Sequence, residues 1–451
     1  MLPRILIVGL FCLIVSAAVV AIAQPPTLPP LPTLPQPTAQ PQQQPTNTVP
    51  GPATGTPGAI IPSTPVNETP LSHFEPLAAF SAHAQNAVRA TLLTSNWMTR
   101  MNQSQGRFIY GFNPALRQPL LRDNNLHQAR ASLAMAQLAK FTGDERQGAI
   151  ASQSILTLLA ATGFDPANAN CRIPFQSSQL CNRVGFAATL ALAIYSLPGA
   201  DAKLIDEAEK LCEFLHKQCR AGGSVQYTDG TADVPMEVDP AGVNEYPGVA
   251  LQAIMTANRF RPAAWKTDVA KLGMTYYRGL FQAKPHPLLA ATLTPVCLEL
   301  FQQLHLNESA AFAFEMNDLI CRNQIPNNDP RIPQWVGGIR TYQDGQQTDL
   351  PSGPETGLYV QSLTFACQLA GLAPDLTRYG QYKSAAQDAT QYMIELQYAE
   401  TNTRHFENAF RSNMLIGAFH LSPTDGNIRI DATATSATSL LHFLSLVAQT
   451  E

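Results

Sequence analysis

Charge is what this sequence has least of. Asp, Glu, Lys and Arg make up 14% of 451 residues, well under the usual quarter. The net charge is −4, and without a basic excess there is no electrostatic footprint for nucleic acid. Aromatic residues are 8%, with three tryptophans. That is too few, with no DxDD-type acidic cluster, for a terpenoid-cyclase cavity. There is no CxxC pair and no His-rich tract, so no zinc site is expected, and no cofactor. Polarity comes instead from Gln, Asn, Ser and Thr, which suits a protein that works by hydrogen bonding.

Long apolar runs are rare too, but one opens the chain. Met1-Leu2-Pro3-Arg4 precedes an apolar stretch from Ile5 to Ile22, and Ala21-Ile22-Ala23 fits a small-x-small cleavage site. This reads as a signal peptide over 1–23, and hence a secreted, periplasmic or cell-surface protein. The run also approaches bilayer-spanning length, so an uncleaved anchor is the alternative, and the one route to a membrane. Residues 24–70 hold 15 of the 36 prolines and a single charge, Glu68. Such a segment extends rather than packs, and we read it as a disordered linker. Asn67, Asn102 and Asn307 stand in Asn-x-Ser/Thr sequons, which matter only where such sites are glycosylated.

Of eight cysteines, Cys12 falls in the signal segment. Export permits disulfides, and Cys171 with Cys181, bracketing one loop, is the expected pair. Cys212 and Cys219 lie two turns apart on one helix, about 10 Å, too far to bridge.

From residue 71 on, two kinds of helix alternate. One kind is apolar on every side, as in ASLAMAQLAKF (131–141) and VGFAATLALAIYSL (184–197). The other is amphipathic, as over 201–220, where Ile205, Ala208, Leu211 and Leu215 share a face. A helix apolar all round is buried all round. Six buried helices alternating with six half-buried ones predict an all-α double ring, an (α/α)6 toroid over 71–451 with short strands in its loops. An open solenoid of helix hairpins is the alternative. A first helix is expected over 76–101, and others over 310–324 and 379–400. The long loops all precede apolar helices, so they fall on one face.

The polar residues delivered to that face are the candidate site. Glu245, Glu355 and Asp431 are the expected acids and bases, with Tyr110. Arg107, Arg122, Asn124, His127, Tyr246, Trp335, Arg411 and Arg429 are the expected substrate contacts. Aromatics, arginines and amides around a groove suit a sugar. Glycoside hydrolysis needs two carboxylates, about 5–5.5 Å apart when retaining and 6.5–9.5 Å when inverting. Proton abstraction beside a uronate carboxylate instead needs a Tyr or His and arginines. Each acid also stands where a helix cap would.

The runs GRFIYGF, NNLHQARASLAMAQLAKFTGD, NEYPGVALQAI, ETGLYVQSLTFACQLAGL and RSNMLIGAFHLSPTDGNIRIDATATSATSLLHFL resemble exported bacterial toroid proteins. These are related to six-hairpin glycosidases and to the C-terminal toroid of glucuronyl C5-epimerases. The resemblance implies a carbohydrate partner, polysaccharide or oligosaccharide, and a cavity lined by Asn124, His127, Glu355, Arg429 and Asp431. In those relatives an aromatic residue and a histidine follow the Arg-Ile-Asp, where this chain has Ala432-Thr433-Ala434-Thr435. The expectation is therefore an exported protein acting on a glycan by hydrolysis or by proton abstraction on a uronate. The alternative is a toroid that binds glycan, or acts as a scaffold, without turnover.

Overall fold

The computed structural model describes residues 69–175, 182–228, 242–328, 333–343 and 346–449. The expected signal peptide and nearly all of the linker lie outside them. So does Cys181, and with it the expected Cys171–Cys181 pair; Cys171 itself is buried.

Local chemistry starts and stops the helices. Pro70 and Pro76, lacking N–H donors, hold Leu71–Phe74 and Leu77–Ala79 as two short 3-10 turns. Helix α1 (Ala82–Met101) therefore begins at Ala82, where the Ser81 hydroxyl accepts from the Ala84 N–H, and not at residue 76. Asn124 caps α2 (Asn125–Thr142), and Gly143 ends it at φ 68°, a left-handed conformation that favours glycine. Asp144 caps α3 (Glu145–Leu159) at once. The same hairpin recurs as α4 (Arg183–Ser196) with α5 (Ala202–Gln218), and as α6 (Tyr246–Phe260) with α7 (Ala264–Ala283). It recurs again as α8 (Pro287–Leu304) with α9 (Asn307–Asn323), and as α10 (Gly353–Leu372) with α11 (Leu376–Glu395). A short α12 (Asn408–Phe410) precedes the long last helix α13 (Ile430–Ala448). Helix α9 starts three residues before the expected 310. Asp375 caps α11, which starts before the expected 379, at Leu376, and ends at Glu395, short of residue 400.

Helices α2, α4, α6, α8, α10 and α13 each pack against the next, and α13 packs against α2. The ring is closed, and the fold is an (α/α)6 toroid, not an open solenoid. The inner helices are buried along nearly their whole length. Side-chain hydrogen bonds cross the seams. The Thr438 hydroxyl donates to Gln137 at 2.9 Å where α13 meets α2, and the Ser439 hydroxyl to the Gly357 carbonyl at 2.7 Å where α13 meets α10.

Close approach depends on small residues. A Cβ on Gly248 would stand 2.2 Å from the Thr292 hydroxyl and 2.9 Å from the Thr292 carbonyl carbon. Valine at position 248 is expected to wedge α6 from α8 and cost about 1–3 kcal/mol. An unchanged midpoint in urea would show that the seam has slack.

Among the described residues, three small sheets lie in the loops. Strand β1 (Gly111–Asn113) pairs antiparallel with β2 (Gln118–Pro119) on one side and, across the mouth, with β7 (Ile428–Arg429). Hairpins β3 (Thr162–Asp165) with β4 (Asn168–Pro174), and β5 (Arg340–Gln343) with β6 (Gln346–Pro351), complete the set. Among the described residues no helix is long and apolar enough to cross a membrane.

Candidate active site

The β1–β7 pairing builds the mouth. Gly111 faces Arg429 in register, and the Ile430 N–H donates to the Tyr110 carbonyl at 2.7 Å. From below, the Gln128 side chain clamps the Phe108 backbone: it accepts from the N–H at 2.8 Å and donates to the C=O at 3.0 Å. The Tyr110 ring is thereby laid on the His127 ring, stacked at 4.9 Å and 11°. The Arg429 guanidinium lies 5.9 Å from the same tyrosine ring.

His127 sits one turn into α2. The Asn124 Oδ1 accepts from its backbone N–H at 2.9 Å. A backbone N–H can only donate, so the other Asn124 atom is the amide NH2, itself a donor. That NH2 stands 3.2 Å from His127 Nε2. That contact is a hydrogen bond in the neutral tautomer with the proton on Nδ1 and the lone pair on Nε2. Burial lowers the His127 pKa, opposed by Asp431 and assisted by Arg429 and Arg130.

Asp431 Oδ2 lies 3.8 Å from His127 Nε2. The carboxylate is buried, which pushes its pKa up. Hydrogen bonds from Arg429 and the positive field of Arg429 and Arg130 outweigh that and hold it below the usual carboxylate range. Arg429 grips it two-pronged, with Nε at 3.0 Å. Tyr110 is pushed the other way, chiefly by burial, and keeps its proton.

Arg130, one turn deeper on α2, was not among the expected residues. One arm contacts Glu245, and the other lies 4.0 Å from Asp431. A guanidinium fork is only about 2.3 Å wide between its terminal nitrogens, so the two carboxylates it bridges lie within about 9 Å of each other. Neither carboxylate caps its helix. Glu245 occupies the cap position of α6 without a side-chain bond to it, and Asp431 spends both oxygens on Arg429.

Below this cluster runs the bore of the toroid, a cavity of about 480 Å³. Glu245, Tyr246 and Arg130 border its upper end. Lys140, Ser196, Arg259 and Glu299, near the far ends of the inner helices, border its lower end. Among the described residues no three His, Cys, Asp or Glu side chains are placed to share a metal ion.

The remaining expected residues divide. Asn124, His127, Arg429 and Asp431 sit on the rim and do not border the bore itself. Arg107 belongs to the rim, tied to Asp123 at 2.8 Å and to Asn125 at 3.1 Å. Arg122 is exposed beside it, at φ 81°. Glu355 stands in the first turn of α10, capped by Ser352, and its carboxylate accepts from the Tyr359 hydroxyl at 3.3 Å. Burial raises its pKa, against that hydrogen bond. Trp335, in a short 3-10 turn, does not border the bore. Arg411 is drawn to Glu400 at 3.0 Å rather than to the rim cluster.

No protein-family model matches the sequence, and no curated protein does. Solved structures do match. D-mannose isomerase superposes with a TM-score of 0.58 at 13% identity, over 81% of this chain and 99% of that one. An unsaturated glucuronyl hydrolase specific for heparin gives 0.54 at 12%, over 79% and 96%. The chain shares the (α/α)6 toroid of these structures. Cellobiose 2-epimerase from Bacillus thermoamylovorans shares the toroid with a TM-score of 0.55 at 9% identity, over 83% and 98%. Identities this low carry the fold and not the chemistry, which rests on the rim residues above.

Proposed function

We propose that this toroid is an exported enzyme that moves a proton on a saccharide held at the mouth of the bore. His127 Nε2 takes the proton from a carbon beside a carbonyl or carboxylate. The observation that carries the reading is the setting of His127 Nε2, 3.2 Å from the Asn124 amide NH2 and 3.8 Å from the Asp431 carboxylate, which suits a neutral ring with its lone pair on Nε2. Asp431 stabilises the imidazolium as it forms. Tyr110, protonated and stacked on the base, donates to the oxygen where charge develops. Exposed Arg122 and half-buried Arg107 offer positive charge to a uronate. Solved toroids of this shape include an isomerase and an epimerase of sugars, and proton transfer of this kind would suit such reactions.

The test is NMR of neutral and uronate-containing saccharides incubated with the protein in deuterated water. Deuterium entering a C–H beside the carbonyl or carboxylate, absent with a His127→Ala variant, is the expected result. New reducing ends without exchange would refute it. The pH profile is a second check. The base works when neutral, so kcat/KM should rise with pH and reach half its plateau below pH 6.5, the ordinary histidine value. Asp431 raises the His127 pKa, so Asp431→Asn should move that limb to still lower pH while lowering the plateau.

One observation favours hydrolysis as a second reading. Glu355 is a buried carboxyl with a raised pKa, as a general acid requires, and α10 neighbours α13, which carries the ionised Asp431. Under that reading Glu355→Gln abolishes the release of reducing ends. Under the proton-transfer reading the same variant keeps deuterium exchange within about tenfold, because nothing in that step needs a second acid.

A further inference from the structure

The bore beneath the rim has its own chemical plan, which the rim does not explain. Its lining residues on α2, Leu126, Arg130, Leu133, Gln137 and Lys140, are spaced four and three apart. They form one stripe of the helix running from mouth to floor. The other inner helices contribute stripes of the same kind, so position along each helix gives depth at about 1.5 Å per residue. Leu126, Val249 and Leu358, each nearer the mouth than the glutamine of its own helix, make an aliphatic collar. Deeper on the same three helices the lining turns to a belt of amides, Gln137, Gln252 and Gln361, with Gln137 about 10 Å below Arg130 on α2. Threonines 189, 256 and 438 stand among them. The belt carries no formal charge. Near the floor stands the Arg259–Glu299 ion pair, with Arg259 Nε 2.9 Å from Glu299 Oε2.

Part of this belt is already committed. Gln137 Oε1 accepts from Thr438, and Gln361 Nε2 donates to Ser439 at 3.0 Å. Each of these amides leaves its other end for the bore, a donor from Gln137 and an acceptor from Gln361. A packed helical ring has no need of three glutamines around an open cavity, where apolar side chains would fill space at less cost in desolvation. Amides of both polarities and hydroxyls, beneath an aliphatic collar, match the edges and faces of an uncharged pyranose.

We propose that the bore is an internal binding site for neutral sugar units. The saccharide whose reacting unit sits at His127 continues downward past the collar, and its end sits among Gln137, Gln252 and Gln361. The protein then acts at a fixed distance from a chain end. This rests on the saccharide reading of the mouth and adds the direction and depth of the substrate.

The test is calorimetry on the full chain with neutral linear oligosaccharides of one to five units. A parallel series uses alkyl glycosides of one sugar with lengthening alkyl chains. Affinity is expected to rise at least tenfold from one unit to three and then level off. A Gln252→Leu/Gln361→Leu variant should lose that gain, and His127→Ala should keep it. Should the double variant not fold, Val249→Trp, which narrows the collar, should remove the same dependence on length. Three results would overturn the inference: affinity independent of sugar number, affinity that grows with alkyl length alone, or belt and collar variants that bind like the parent. Deuterium exchange measured alongside separates the two readings. Exchange without length dependence leaves the mouth chemistry standing and removes the bore site. Length-dependent binding without exchange does the reverse.

Discussion

His127→Ala is expected to lower kcat by about 10²- to 10⁴-fold, the contribution of a positioned general base, with little change in stability. The ring does not hold the fold together. Its Nδ1 makes no hydrogen bond, its Nε2 takes one from Asn124, and the cap of α2 uses the backbone N–H of residue 127 and not the imidazole. A His127→Gln variant sharpens the test. Glutamine can accept from Asn124 but has no titratable lone pair, so it should be as inactive as alanine and should lack the acid limb of the pH profile. Turnover of either variant within threefold of the parent would remove His127 from the chemistry. Asn124→Ala gives the complementary result. It should cost about 1 kcal/mol as a lost cap and also release the tautomer, so kcat should fall while KM changes less.

How far the sequence reaches this site can be followed residue by residue. The ring is legible because an all-apolar helix must be buried on every side, and six of them separated by amphipathic helices can bury one another in a circle, which closure of α13 on α2 selects over an open solenoid. The hairpin turn at Gly143-Asp144 is legible for the same local reason: a left-handed residue and a cap stand side by side. The rim is legible in part. Asn124, His127 and Asp431 stand at the openings of inner helices, and closure brings those openings together. Arg130 was invisible. In sequence it is one charge on an apolar helix, which reads as a side chain reaching for solvent. Only closure places Glu245 of α6 and Asp431 of α13 on either side of it. Arg411 could not be placed from sequence, for the opposite reason. Loop residues have no periodicity to say where they point, and an acid nearby in the chain, Glu400, claimed this one. Sequence position also could not separate acids that cap from acids left free. Ser352, three residues before Glu355, takes the capping role.

The outer wall contains the pair with the largest expected effect on folding. Lys266, on α7, is 2% exposed. Its ammonium donates to Glu209 at 2.7 Å and to the Arg261 carbonyl at 2.8 Å. Glu209 on α5 also accepts from the Tyr195 hydroxyl at 2.8 Å, and Tyr195 on α4 borders the bore. One buried charge pair thus ties two outer helices to an inner one. Methionine at position 266 preserves the bulk but strands the carboxylate, and a stranded partner costs about 3–5 kcal/mol. Glu209 keeps partial access to water, with a side-chain exposure of 18%, so the lower end of that range is expected. If the cost lies in the stranded charge, then adding Glu209→Gln to Lys266→Met should recover most of it, because the amide still accepts from Tyr195 and carries no charge. Thermal melts of the two single variants and the double variant give the coupling. A double variant no more stable than Lys266→Met would place the cost in lost packing around the lysine stem instead. A Lys266→Met variant melting with the parent would show that the pair merely breaks even against methionine.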